Sequence, residues 1–149
     1  METAERDRLA DAVLGASRAL LAIAVRSVSA GPAEVTVAQH RVLVLLETRG
    51  SLSVTAVAEE LGVDQSNASR HCTRLERLRL VTRKRAPHDG RAVSVELTAG
   101  GRRQVEAVRA ARRREIIRIL ERLPDTTVPE VVEGFRAFQR AATHEASAS

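Results

Sequence analysis

The chain has 149 residues, a net charge of +5 and two aromatic residues, both phenylalanine. This length gives one compact unit, and a core of Ala, Val, Leu and Ile is typical of packed helices. A single cysteine excludes an internal disulfide, and we identify neither a signal peptide nor an apolar run of membrane-spanning length, so we expect a cytoplasmic protein without membrane contact.

The positive charge is concentrated in two segments. Residues 64–91 carry eight basic and three acidic residues, residues 102–122 carry the same numbers, and the rest of the chain is net negative. A local excess of positive charge favours a polyanionic partner, because each neutralised phosphate releases a condensed counterion. A membrane surface would instead need a helix with a basic face beside an exposed apolar face, and we find none.

The first predicted element is a helix over residues 3–30, which Gly31-Pro32 ends. Its apolar residues recur at helical spacing: Leu9, Val13, Ala16, Leu20, Ile23 and Ala24. Thr36 is a predicted N-cap of a second helix that runs to Gly50. Residues 51–52 could pair as a short strand.

The next segment predicts a helix-turn-helix. Ser53 is an N-cap for a short helix, Gly62 ends it because glycine tolerates positive φ, and Asp64 caps the following helix. The apolar residues of the second helix form a narrow stripe: Ala68, Cys72, Leu75 and Leu78. Its other side chains face outward, with amides and hydroxyls first and arginines further along.

Two strands are predicted after this helix, at residues 80–85 and 92–97, with a basic hairpin tip between them. A hairpin that follows a helix-turn-helix makes a winged helix. The predicted fold is therefore mainly α with a small β-hairpin wing.

Two further helices are predicted at the end of the chain. Thr98 caps a long helix to about Leu123, with a first turn weakened by Gly100 and Gly101. Its run 112–114 is either a nucleic-acid patch or a polar face paired with acids.

Pro124 breaks this helix, and a capping box at 127–130 opens the last one. The last helix has an apolar face that we expect to pack against a second subunit: Val131, Val132, Phe135 and Phe138. The small polar tail after residue 142 is expected to be disordered.

Short motifs recur along the chain in a specific order: Thr36-x-x-Gln39-x-x-Val42-Leu43, Leu75-Glu76, Leu80-Val81, Asp89-x-Arg91-Ala92, Leu97-Thr98 and Gly101. Through them nearly the whole chain resembles the MarR family of bacterial winged helix-turn-helix transcription regulators. The resemblance implies a DNA-binding domain at 35–98 and helical dimerisation regions at 1–34 and 99–149. Two positions differ from the family pattern, with Gly90 where many relatives carry a second Arg and Arg79 where Gly is usual.

The outward residues of the second helix of the motif are predicted to contact DNA. Amide and Arg side chains match the patterns on base edges, and flanking Arg neutralise phosphates. We expect base contacts from Gln65, Ser66, Asn67, Ser69 and Arg70. We expect phosphate contacts from Ser53, Arg74, Arg77, Arg83, Lys84 and Arg85. The resemblance assigns Arg91 of the wing to the minor groove and Asp89 to orienting it. The alternative is an ordinary solvated helix face.

The expected function is that of a sequence-specific regulator, a homodimeric repressor that binds double-stranded DNA at an inverted repeat. The resemblance also implies release by a small, often phenolic or anionic, molecule between the dimer layer and the winged domain. Arg18, Arg26 and His40 could border this cleft, or they are ordinary surface residues.

Three alternatives follow from other features. Cys72 could serve a redox-responsive regulator, although a small apolar residue on the buried stripe is the stronger interpretation. Charge alone would suit a sequence-independent architectural DNA-binding protein, but the amides of Gln65 and Asn67 gain nothing from phosphate-only contact. We find no motif of an enzyme, and the scattered histidines lack ligand spacing, so no catalytic residue, cofactor or metal is expected.

Overall fold

The computed structural model describes residues 2–85 and 93–148, which form six α-helices, a short 3₁₀ turn and three strands. The elements in chain order are α1 Thr3–Ser27, the 3₁₀ turn Val28–Ala30, α2 Val37–Arg49, β1 Leu52–Ser53, α3 Val54–Leu61, α4 Gln65–Arg77, β2 Val81–Arg85, β3 Val93–Leu97, α5 Ala99–Leu120 and α6 Val128–Ala148. The predicted fold class, mainly helical with a small wing, is confirmed.

Local hydrogen bonds set the limits of the helix-turn-helix. The Ser53 hydroxyl accepts a hydrogen bond from the Ala56 amide at 3.0 Å, and the Asp64 carboxylate accepts one from the Asn67 amide at 2.8 Å. Each supplies a partner for an amide that the first turn leaves unpaired. Gly62 adopts φ 65°, the left-handed conformation that ends α3. Both predicted caps and the predicted glycine stop are confirmed.

The three strands form one antiparallel sheet in the order β1-β3-β2. Val95 of β3 lies between Leu52 of β1 and Arg83 of β2. The short strand predicted at 51–52 therefore exists, displaced by one residue. Along β3 the side chains of Val95 and Leu97 turn into the core, which fixes the register of the wing against the helices.

One apolar core joins α2, α3, α4, the sheet and the start of α5. Its largest fully buried apolar side chains belong to different elements: Leu43, Leu46, Val57, Leu75, Val81 and Val95. The stripe predicted for α4 is confirmed at Ala68, Cys72 and Leu75, each of which is 0% exposed. Burial of this stripe leaves the opposite face of α4 to solvent.

Arg79, at the position where the family pattern has Gly, occupies the left-handed region at φ 59°. The Leu80 amide bonds to the Leu75 carbonyl at 3.0 Å, and the Arg79 amide bonds to the Glu76 carbonyl at 2.9 Å. These two bonds are the Schellman arrangement that closes a helix end. They offset the roughly 1 kcal/mol or more that a left-handed conformation costs a side-chain-bearing residue.

The first turn of α5 packs tightly, contrary to the expectation that Gly100 and Gly101 would loosen it. Gly101 is buried, and its amide donates to the Thr98 hydroxyl at 3.0 Å. A Cβ at Gly101 would lie 2.1 Å from the Leu80 carbonyl oxygen. Glycine at this position therefore permits close approach rather than flexibility.

Two polar side chains of α5 hold the segment between α1 and α2. The fully buried Gln104 accepts a hydrogen bond from the Ala33 amide and donates one to the Ala33 carbonyl, both at 2.9 Å. Arg112 donates to the Ser27 hydroxyl at 3.2 Å and to the Ala24 carbonyl at 3.3 Å. Arg112 therefore stabilises the end of α1, a role that neither interpretation of the run 112–114 included.

The chain divides into two compact units, residues 1–112 and 113–149, so the expectation of one compact unit is wrong. In the second unit α6 continues to Ala148, so the expectation of disorder after residue 142 is wrong. Phe135 and Phe138 on α6 are 50% and 55% exposed in the single chain. The proposed boundaries of the DNA-binding and dimerisation regions stay a prediction.

Helix α1 differs from expectation in its length and apolarity. The stretch Thr3–Ala30 is long and apolar enough to cross a membrane by these two measures, and most of it is exposed in the single chain. The expectation that no apolar run reaches this length is therefore wrong. A helix with an apolar face covered by another protein passes the same test. Length and composition alone therefore do not assign α1 to a membrane.

The close approach at Gly101 can be tested by substitution. We expect Gly101→Ala to lower the free energy of unfolding by about 1 to 3 kcal/mol, because the Leu80 backbone must move. Gly15→Ala in α1, where nothing lies within 4 Å of the added Cβ, should instead raise it by about 0.5 to 1 kcal/mol. Denaturant unfolding of the two variants measures both changes. Equal stability of Gly101→Ala and wild type would contradict the packing.

Candidate nucleic-acid interface

The exposed face of α4 carries most of the predicted DNA-contacting residues. Gln65, Ser66 and Arg70 are exposed near its start, and Arg74 and Arg77 are exposed near its end. Asn67 and Ser69 are half-buried at the edges of this face. Because the buried stripe occupies the opposite side, these side chains share one solvent-facing surface, with hydrogen-bonding groups before cations.

Arg83 connects the wing to α4. Its guanidinium donates to the Thr73 hydroxyl at 3.1 Å and lies 3.7 Å from the Glu76 carboxylate. About 30% of the Arg83 side chain is exposed, so it borders the α4 surface while it is held by that helix. Sequence reasoning missed Thr73 and Glu76 as its partners, because the contact depends on how β2 returns beside α4.

The other predicted phosphate contacts lie around this surface. Lys84 forms an ion pair with Glu96 of β3, and Arg85 is exposed at the end of β2. Ser53 is exposed, with its hydroxyl oxygen accepting the Ala56 amide and its hydroxyl proton available to a phosphate. The predicted wing contacts Asp89 and Arg91 lie outside the described residues.

The first turns of α4 contain a chain of side-chain hydrogen bonds. The Asn67 amide nitrogen donates to the Asp64 carboxylate, and the Arg70 guanidinium donates to the Asn67 amide oxygen. The pKa of Asp64 is lowered by the backbone hydrogen bond from Asn67, and further by the Asn67 side chain and the charge of Arg70. The Asp64 carboxylate is therefore ionised at neutral pH.

A cavity of about 620 Å³ lies within residues 1–112, between α1, α2, α3 and Arg112 of α5. Its wall is mostly apolar: Leu21, Ala24, Val25, Val28, Val37, Val44, Leu45 and Leu61. Its polar lining residues are His40, Arg41, Thr48, Arg49, Glu60 and Arg112. Of the three predicted cleft residues, His40 lines this cavity. Arg18 and Arg26 are exposed on α1 and do not line it.

His40 is 6% exposed, and its Nδ1 atom is buried without a hydrogen-bond partner. Burial lowers the pKa of its imidazole, the charges of Arg112 and Arg109 lower it further, and Glu47 opposes them. The ring is therefore neutral at physiological pH. An unpaired buried nitrogen at the edge of a cavity is a hydrogen-bonding position that a bound molecule can satisfy.

Cys72 is fully buried in the α4 stripe, and burial raises the pKa of its thiol. A buried, protonated thiol reacts slowly with oxidants, so the structure favours packing over a redox role. Within residues 2–85 and 93–148 no cluster of three or more His, Cys, Asp or Glu could hold a metal ion.

Comparisons with known proteins point to one family. A family profile described as the MarR family matches residues 33–92. The uncharacterized HTH-type transcriptional regulator YfiV of Bacillus subtilis (strain 168) is 31% identical over 108 residues, which cover 72% of this chain and 68% of YfiV.

Solved structures share the fold of this chain. RV1404 from Mycobacterium tuberculosis superposes with a TM-score of 0.80 at 35% identity, and the match covers 91% of this chain and 92% of RV1404. A point mutant of S. aureus MepR, bound to an oligodeoxyribonucleotide, superposes with a TM-score of 0.72 at 18% identity over 90% of this chain and 97% of MepR. At that identity the second match shows the fold alone.

The buried His40 predicts a pH dependence of stability. Below pH 6.5 the unfolded chain takes up a proton at His40 that the folded chain resists, so stability present above this pH is lost as the pH falls through the lowered pKa. The free energy of unfolding falls by at most about 1.4 kcal/mol per pH unit in this range. We expect His40→Gln to abolish this fall. His144→Gln, which replaces an exposed histidine of α6, is the control variant. The unfolding free energies of the wild type and both variants are measured at pH 7.5 and 5.5. The same change with pH in the wild type and in His40→Gln would contradict the prediction.

Proposed function

Since the chain belongs to the MarR family of DNA-binding transcription regulators, we propose that it is a sequence-specific repressor that acts as a homodimer in the cytoplasm. The observation that carries the proposal is the exposed polar and basic face of α4, opposite a stripe that is fully buried. A helix of this kind can enter a major groove without disturbing the core that supports it.

Contacts to bases and contacts to phosphates have different effects. We assign base contacts to the start of α4, where Gln65, Ser66, Ser69 and Arg70 lie, because amides, hydroxyls and guanidinium groups match base edges. Contacts to phosphates set the register on the duplex without reading sequence, and we assign them to Ser53, Arg74, Arg77, Arg83, Lys84 and Arg85. The MepR complex with an oligodeoxyribonucleotide supports DNA binding by this fold.

A second copy of the chain accounts for the exposed apolar residues. On α1 these include Leu9, Val13, Leu20, Leu21 and Val25, and on α6 they are Val132, Phe135 and Phe138. Exposed apolar side chains along each of these helices mark it for association. We assign residues 1–34 and 99–149 to the dimer and 35–98 to DNA. A two-fold dimer then presents two α4 helices to successive major grooves, about 34 Å apart, and binds an inverted repeat.

The cavity beside His40 is the proposed effector site. Its apolar wall suits an aromatic ring, and His40 Nδ1 offers a hydrogen bond. Arg41 and Arg112 suit a carboxylate or phenolate, whereas Arg49 is paired with Glu60. Both α1 and α3 contribute to its lining. A ligand that binds more tightly when these helices are displaced from the DNA-binding arrangement lowers DNA affinity. The ratio of the ligand's affinities for the two arrangements sets how far DNA affinity falls.

The DNA assignment is tested with arginine variants. We expect Arg70→Ala to cost about 1 to 3 kcal/mol on the preferred sequence and to relax the sequence preference. Arg74→Ala should weaken binding to specific and random DNA alike and lower the slope of log affinity against log salt by about one. Binding isotherms and footprints on an inverted repeat at several salt concentrations measure both effects.

The matched control is Arg136→Ala, which removes an exposed arginine from α6. It should leave affinity, footprint and salt slope unchanged. Equal losses on specific and random DNA for both α4 variants would refute base reading by Arg70. A footprint confined to one half-site would refute the dimeric mode of binding.

The effector site is tested by filling the cavity. We expect a small aryl carboxylate, with 2-hydroxybenzoate as the first probe, to weaken DNA binding by the wild type at saturating concentration. Ala24→Leu adds bulk to the cavity wall and should abolish this response without changing affinity in the absence of the probe. Gly15→Ala on the same helix should keep the response. If the probe still weakens DNA binding by Ala24→Leu, the probe binds elsewhere.

A further inference from the structure

The hydrogen-bonded series Asp64, Asn67 and Arg70 does more than cap α4. One Asp64 oxygen accepts the Asn67 backbone amide at 2.8 Å, and the other accepts the Asn67 side-chain nitrogen. The Asn67 oxygen in turn accepts the Arg70 guanidinium. The three residues are spaced by three, so they lie along one edge of the helix.

Chemistry fixes the orientation of the Asn67 amide. An ionised carboxylate only accepts hydrogen bonds, and a guanidinium only donates them. The amide nitrogen must therefore face Asp64 and the amide oxygen must face Arg70. A flipped amide would place two acceptors together at one end and two donors together at the other.

This orientation leaves one N–H and one oxygen lone pair of the Asn67 amide for the predicted base contact and restricts the directions in which they can point. An asparagine that reads adenine uses its nitrogen and its oxygen together, toward N7 and N6 of the base. Both atoms of Asn67 already serve neighbours within the chain. Asn67 is also half-buried, whereas Arg70 is exposed on the outer face of α4.

We propose that Asp64 and Asn67 are positioning residues that hold the Arg70 guanidinium in the geometry that reads guanine. This inference rests on the proposed function and makes it more specific. One Arg70 nitrogen is engaged by Asn67, while the remaining donors of the fork can meet O6 and N7 of guanine. Restraint before binding reduces the side-chain freedom that is lost in the complex. In this proposal Asp64 acts through Asn67, which donates to both of its oxygens.

The low pKa of Asp64 agrees with this role, since the carboxylate stays ionised wherever the protein is folded near neutral pH. A cap alone would need a single acceptor oxygen. The second oxygen, which serves the Asn67 side chain, distinguishes a relay from a simple N-cap.

Asp64→Ser separates the two roles. Serine is also a good N-cap, so it keeps an acceptor for the Asn67 amide while it removes the oxygen that holds the Asn67 side chain. Asn67→Ala breaks the relay at its centre and leaves the cap intact. Glu59→Gln on α3 is the charge control for Asp64→Ser, because it removes one exposed negative charge from the neighbouring helix.

The experiment selects preferred duplexes from a randomised pool with the full-length protein, then measures affinity for each base at each position. The wild type should prefer guanine at one position of each half-site by about ten- to a hundredfold, and Arg70→Ala should abolish that preference. Asp64→Ser and Asn67→Ala should reduce it by about three- to tenfold at that position alone. Asn67→Ala should have no further effect in the Arg70→Ala background.

Three outcomes overturn the relay. Asn67→Ala could relax a different position, which would make Asn67 a base reader. Asp64→Ser and Asn67→Ala could both keep the wild-type preference for guanine. Glu59→Gln could lower the same preference, which would make the effect one of charge. A wild type that selects no sequence would instead refute the proposed function itself. Thermal unfolding of each variant checks that α4 is retained.

Discussion

Burial of one side of α4 is the constraint on which the rest of the structure depends. Ala68, Cys72 and Leu75 are completely buried, and α4 packs against α2, α3 and β2. Small side chains at two of these positions let the helices approach closely. Because this face is sealed, the exposed polar residues of α4 lie on the rest of the helix surface: Gln65, Ser66, Arg70, Arg74 and Arg77. The exposed α4 surface that we propose for DNA contact is thus a consequence of core packing rather than a separate feature.

The two ends of α4 are closed by different devices that together fix its direction. Asp64 caps its start, and Arg79, in the left-handed region, reverses the chain into β2. Leu80 then meets Gly101 of α5 at a distance that only glycine allows. The wing and the start of α5 are consequently positioned by the end of α4, and Arg83 returns from the wing to bond to Thr73 of the same helix.

Several cations near the exposed α4 surface are restrained by the protein itself. Arg70 is held by Asn67, Arg83 by Thr73 and Glu76, and Lys84 by Glu96. Exposed ion pairs of this kind add little to stability. Their larger effect is on geometry, because a side chain that is already oriented loses less freedom when it binds. The same principle applies to Gln104 and Arg112, which fix the segment around the cavity through bonds to Ala33 and to the end of α1.

The sequence by itself determined the order of helices and strands, the helix caps at Ser53 and Asp64, the stop at Gly62 and the buried stripe of α4. These features depend on contacts between residues a few positions apart, which periodicity and capping preferences record. Only the tertiary structure decided the pairing of Arg83 with α4, the clamp by Gln104, the close packing at Gly101 and the cavity beside His40. Each of these joins residues distant in sequence, and no local pattern records which partner the folded chain brings near.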